Sequence, residues 1–215
     1  MAATALADAL VVVSSHHSNP VAAVAEVVAA VGSRPLAGAL LFCSHRYPRL
    51  PLAQALKGRF GDIPLIGCTS AGELSPRGYD QDSLVFIGFP AGDFRMELHC
   101  FDDLDDFDPV AGRSAIRALN AAMDQADLAS GKPPHPYRAA IFLVDGLSHR
   151  EELLAMTVQE ALGETQLVGG SSGDGMLFRE TGVLVGDRFL QDAAVVAVLS
   201  SHRPMRAFTA NHYSP

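Results

Sequence analysis

Short apolar runs alternate along this chain with longer segments whose apolar residues recur at helical spacing, a pattern that predicts an α/β protein. In the first half, residues 9–14 form an apolar run suited to a buried strand. Asn19 and Pro20 then supply an N-cap and a first-turn proline, VAAVAEVVAAV follows, and Gly32 supplies a stop. Only Glu26 interrupts that segment, so the helix is expected to be covered on most sides. Strand-like ALLFC (39–43), a helix over 52–59, and the runs 63–70 and 83–89 complete the half.

The second half restates this order. Residues 95–101 alternate as a half-buried strand, and Asp108 with Pro109 again pairs a cap with a first-turn proline for a helix running to about 126. After a proline-rich loop come AAIFLV (139–144), a helix opened by Ser148 with Glu151 as a capping box, QLVGGSSGD (166–174) and AAVVAVL (193–199). LIGCTSAG and LVGGSSGD match with Gly67 and Gly169 102 residues apart; QDSLVFIG and QDAAVVAV match with Gln81 and Gln191 110 apart. The eight-residue difference predicts an insertion over 176–190, where Thr181-Gly182 and Gly186-Asp187 signal a hairpin. The fold expected is α/β, two pseudo-repeated β-α-β-α-β-β units over about 9–90 and 94–200. Strand-helix-strand units predict parallel pairs, and the tight connection near 90–93 predicts an antiparallel hairpin, so the sheets are mixed, stacked on each other with helices outside.

Composition narrows the function classes. The chain has 215 residues, 48% of them hydrophobic, enough to bury a core without a disulfide or metal staple. Sixteen basic against 24 acidic residues leave a net charge of -8, and no local Lys/Arg cluster exists to track phosphates, so neither nucleic acid nor an anionic membrane is expected as a partner. Three cysteines without a C-x-x-C spacing suit a reducing cytoplasm. The first 13 residues are apolar but lack a basic leader and are broken by Asp8, which argues against a signal peptide, and no run approaches a membrane span.

Glycines and small hydroxyl residues crowd the ends of two matching strands, in Gly67-Cys68-Thr69-Ser70-Ala71-Gly72-Glu73 and in Gly169-Gly170-Ser171-Ser172-Gly173-Asp174. Such tips let backbone N–H groups converge on a ligand, and each ends in a carboxylate suited to an amine or polarised hydroxyl. The candidate ligand contacts are Cys68, Thr69, Ser70, Glu73, Ser171, Ser172 and Asp174, with Gly72 and Gly170 permitting close approach. Ser-His-Arg follows the 39–43 and 139–144 strands, so His45 and His149, with Arg46 and Arg150, could flank the tips and bind a carboxylate. Gly169 to Gly173 also satisfies G-x-S-x-G, which would make Ser171 a hydrolase nucleophile, but DGMLFRETG after it lacks the helical period that motif needs. Cys68 at a strand end reads as a small buried hydrophobe rather than a nucleophile. The acidic run 102–108 lacks the glycine and terminal glutamate of a calcium loop.

IPLIGCTSAGEL, QLVGGSSGDG, AAIFLVDGL and the first strand leading into Asn19-Pro20 resemble the signature blocks of the FIST N-terminal domain family, across nearly the whole chain. The resemblance implies one sensory domain over 1–215 that binds a small polar ligand such as an amino acid, without catalysis, and reports to a signalling protein or to a FIST C-terminal domain. Such a domain normally follows in the family, and the strand-like MRAFTAN within 204–215 is where a further unit would begin. No cofactor or metal is expected. Some family members are haem-dependent gas sensors, which makes haem the alternative; His16 or His17 could supply one axial imidazole, although adjacent histidines on an extended chain cannot both face one metal.

Overall fold

A computed structural model describes residues 10–131 and 133–208 of the chain. Residues 1–9 and 209–215 lie outside it, and with them the start of the 9–14 run, most of the apolar N-terminus and the end of MRAFTAN. Residues 204–208 form no strand.

The first half runs β1 (Val11–Ser15), α1 (Pro20–Val31), β2 (Leu36–Ser44), α2 (Arg49–Phe60), β3 (Leu65–Ser70), β4 (Glu73–Ser75), β5 (Gly78–Asp80) and β6 (Leu84–Pro90). The second runs β7 (Phe94–Phe101), a single 3₁₀ turn at Leu104–Asp106, α3 (Pro109–Ala129), β8 (Tyr137–Val144), α4 (Glu151–Leu162), β9 (Gln166–Ser171), β10 (Val183–Val185), β11 (Arg188–Leu190) and β12 (Ala194–Ser201). The fold is α/β with mixed sheets. One sheet has the order β1-β6-β2-β3-β10-β11, the other β7-β12-β8-β9, and β4 pairs with β5 in a separate two-stranded hairpin. Within each, the helix-bearing crossover joins a parallel pair, β2 with β3 and β8 with β9, while the late strand, β6 or β12, inserts antiparallel.

Three cores hold four layers together. Leu41, Leu52, Leu56 and Phe86 pack one sheet against α1 and α2. Ile116, Met123, Leu154 and Val196 pack the other against α3 and α4. Leu40, Ile66, Met96, Leu143 and Val195 fill the space between the sheets. All eight residues of β12 are buried, and its apolar run through Leu199 suits a central strand covered on both faces.

Several local expectations hold. The Asn19 side chain accepts hydrogen bonds from the Val21 and Ala22 N–H groups, Asp108 caps Val110, and Gly32 ends α1 at φ 63°. Others are corrected. α1 is not covered on most sides: Val21, Ala25, Glu26, Ala29 and Ala30 are exposed, its alanines there serving helix propensity rather than burial. Ser148 does not cap α4; its hydroxyl donates to the Asp145 carbonyl at 2.7 Å, and α4 begins after Arg150 without a side-chain cap. Residues 90–93 do not make a hairpin. β6 already pairs on both edges, with β1 and β2, so the chain crosses to the other sheet and β7 pairs with β12. The extra length of the second half lies in the loop 172–182, not in the hairpin at Gly186-Asp187, because the first half carries its own hairpin, β4–β5, hidden in a glycine- and polar-rich stretch. No helix of the described residues is long and apolar enough to cross a membrane.

Candidate functional site

Parallel pairing sets the position of both glycine-rich tips. A Cβ on Gly67 would collide with the Leu41 carbonyl, and one on Gly169 with the Phe142 carbonyl, so each strand needs glycine to lie flat against its neighbour. The tips then leave the same end of the two sheets and join. The Gly173 N–H donates to the Thr69 carbonyl at 2.9 Å, the Thr69 N–H to the Gly182 carbonyl at 2.9 Å, and the Gly182 N–H to Thr69 Oγ1 at 3.1 Å.

Most of the polar groups read as ligand contacts already have partners there. Glu73 is buried and accepts from Ser70 Oγ and Ser83 Oγ, both at 2.6 Å, and from the Ser83 N–H at 3.2 Å. Asp174 is also buried and accepts from the N–H groups of Phe178, Arg179 and Glu180 at 2.9, 2.7 and 2.9 Å. The Glu180 and Arg179 amides, above all, hold its carboxyl below the ordinary carboxylate range against the opposing effect of burial, with the Phe178 amide and the nearby His45 adding to the shift. Ser172 Oγ accepts from the Gly146 N–H at 3.2 Å. Cys68 faces the core between the sheets, and burial, with Glu73 nearby, pushes its thiol up to about 12. Gly72 lies under the Tyr79 ring, Gly170 and Ser171 are exposed on β9, and His149 is exposed at φ 55°.

Beside the joined tips a cleft of about 560 Å³ opens, lined by His45, Arg46, Ala71, Asp82, Asp174 and Met176, among others. His45 Nδ1 is buried and has no hydrogen-bond partner among the described residues, a state that costs free energy unless a guest supplies one. Arg46 and Asp82 pair at 2.9 Å and form a wall shared with a second cleft of about 180 Å³ that reaches Ser18 and Tyr47. The cleft carries both signs of charge and one apolar side, Met176 and Leu177. Sequence reasoning brought His45, Asp174 and the tips together but missed Asp82 and the Met176–Leu177 side. The shared Gln-Asp pairs were the available signal: Asp82 and Asp192 both sit at positive φ, 55° and 46°, a conformation aspartate tolerates. Asp145 was missed as well. It is buried, accepts from the Asp192 N–H at 2.6 Å and from the Thr181 hydroxyl, and so ties the long loop to β8 and β12.

The rival chemistries meet specific obstacles. Residues 172–182 form no helix, so Ser171 does not sit on the strand-turn-helix elbow that activates a hydrolase serine. Among the described residues no group of three or more His, Cys, Asp or Glu side chains could hold a metal ion. His16 and His17 lie by an open cleft with Glu26 and Arg77, and their Nε2 atoms face Asp80 at 3.3 Å and Glu26 at 3.5 Å. That charged, open lining does not fit the apolar slot a porphyrin needs.

A family model described as the FIST N domain matches residues 37–215. The chain belongs to the FIST N domain family. The FIST domain is a sensory signal-transduction domain, so this FIST chain is placed among proteins that read a signal. Compared with curated proteins, the chain matches none.

Proposed function

We propose that this FIST domain binds a small polar metabolite, such as a free amino acid, reversibly and without chemistry, in the cleft beside the joined tips, and passes its occupancy to a signalling partner. The observation that carries this reading is His45 Nδ1, buried and unpartnered at the wall of a cleft large enough for a small guest. Arg46 and Asp82 supply charges of both signs for a zwitterion, and the Met176–Leu177 side takes an apolar portion. Glu73 and Asp174 act here as anchors of the tips, because their oxygens are already engaged. Sensing then requires that the guest favour one arrangement of the tips over another.

The test is a thermal-shift screen of the purified protein against free amino acids and small polar metabolites. A binder at about 100 times its Kd adds about 2.7 kcal/mol. At least one compound is expected to raise Tm, and His45→Ala should abolish that rise while leaving the unliganded Tm nearly unchanged. A screen with no stabilising compound, or one whose effect survives His45→Ala, overturns the reading. A Soret band in the absorbance spectrum would replace the polar guest with haem.

A further inference from the structure

A second cluster of charged and basic side chains lies at the end of the sheets opposite the joined tips. There Tyr137, which opens β8, pairs with Ser201, which closes β12, and Ser201 pairs in turn with Phe94 of β7; the glycine tip of β9 leaves from the far end, where Val144 pairs with Ser171. Asp127, in the last turn of α3, is buried, and its Oδ1 lies 2.7 Å from His135 Nδ1 and 3.2 Å from Arg95 Nε. Burial works to raise the Asp127 carboxyl, but the His135 hydrogen bond and the charges of His135 and Arg95 outweigh it and hold the group below the ordinary carboxylate range.

Asp127 fixes both partners without exhausting either. Arg95 Nε is close enough for an ion pair yet off the direction of a hydrogen bond, so this buried N–H has no hydrogen-bond acceptor, and the two terminal nitrogens meet no partner among the described residues. The His135 side chain is only 10% exposed, and with Nδ1 committed to Asp127 its Nε2 is turned the other way. His202 stacks on it with ring centroids 4.1 Å apart, held by its own backbone N–H, which donates to the Asp93 carbonyl at 3.0 Å. Arg95, His135 and His202 line one cleft of about 380 Å³, together with Glu97, Ala37 and Pro64. The described chain beyond His202 heads away from that cleft: the Ala207 N–H donates to Gln166 Oε1 at 3.1 Å, on β9, and β8 and β12 stand between β9 and β7.

We propose that this cleft is a second binding site, for the phosphoryl group of a small hydroxylated phosphate monoester. The Arg95 guanidinium presents its fork to two terminal oxygens, and His135 with His202 meets the third. Because His135 gives its Nδ1 proton to the bond with Asp127, its Nε2 accepts from the P–OH of the monoanion, or donates to the dianion once protonated. Glu97 accepts from a hydroxyl of the metabolite, and its charge disfavours polyphosphates. This site is separate from the tip cleft and does not depend on what that cleft binds.

An NMR titration of the histidine ring nitrogens with inorganic phosphate and with glycerol 3-phosphate tests it. Both ligands are expected to shift the His135 and His202 resonances and to leave those of His45 in place, with glycerol 3-phosphate the tighter of the two. His202→Ala, at an exposed position, and Arg95→Lys, which keeps the charge beside Asp127 but loses the fork, should each weaken binding at least about fivefold, the first with the unliganded Tm unchanged. No shift at about 10 mM phosphate, ten times a weak Kd of about 1 mM, overturns the proposal. So does binding that survives both substitutions, equal binding of acetate, or glycerol 3-phosphate binding no tighter than phosphate. Phosphate binding lost in His45→Ala would place the anion at the tips and overturn it as well, whereas a failed metabolite screen at the tip cleft leaves this site standing.

Discussion

The two glycine-rich tips grow from the same strand-helix-strand frame and differ mainly in the length of chain that leads on to the next hairpin. After β3 the chain needs two residues to enter a hairpin; after β9 it takes 172–182. The short link anchors its carboxylate, Glu73, with serine side chains, while the long one wraps around Asp174 with backbone N–H groups. That difference decides which sheet receives the second hairpin: β3 gains β10–β11, while among the described residues β9 pairs with β8 alone. It also builds the cleft wall, since Met176 and Leu177 exist only on the long loop.

The frame shared by the two tips should be the least forgiving of substitution. Gly169→Val or Gly67→Val places a branched side chain onto a neighbouring carbonyl in either half, and each is expected to cost at least about 4 kcal/mol, read as loss of soluble, cooperatively unfolding protein. The hairpins should then separate cleanly. Leu184→Ala empties a buried site and should cost about 2–5 kcal/mol in denaturant unfolding, whereas Leu74→Ala in dilute protein should stay within about 0.5 kcal/mol. Equal costs would mean that both hairpins are packed alike. The smallest effect belongs to the long loop. Asp174→Asn weakens three charge-assisted bonds, so amide exchange at Phe178, Arg179 and Glu180 should quicken with little change in global Tm. Because the folded carboxyl titrates below its ordinary range, its ordering contribution is present above that range and is lost as pH falls through the depressed value. Acidification of the wild type should therefore reproduce the Asn exchange pattern at those three amides.

Much of the fold was legible because it rests on period and punctuation. The caps at Asn19 and Asp108, the stop at Gly32 and the uninterrupted apolar run of β12 act through neighbours a few residues away. The pairing of Gly67 with Gly169 could be read from spacing alone, and both turn out to answer the same contact with a parallel strand. Legibility failed where a residue's role depends on a distant partner. Glu73 and Asp174 look like free ligand carboxylates in sequence, yet Ser83 and the 178–180 amides engage them. The short strands β4 and β5 carry too few residues to show a period, and the 90–93 turn resembles any hairpin turn until both edges of β6 are seen to be taken.

The sequence by itself determined the order of the longer strands and helices and the two glycine tips, since each follows from local composition and spacing, while the family was met as a resemblance of whole sequence blocks. Only the tertiary structure decided that β10–β11 crosses to the other half's sheet, that His45 Nδ1 has no partner among the described residues beside a cleft, and that the buried carboxylates of the tips are engaged from within the chain. The physical reason is that hydrogen-bond satisfaction and edge coverage are settled between segments far apart in the chain, and a one-dimensional pattern does not encode which of several suitable partners arrives.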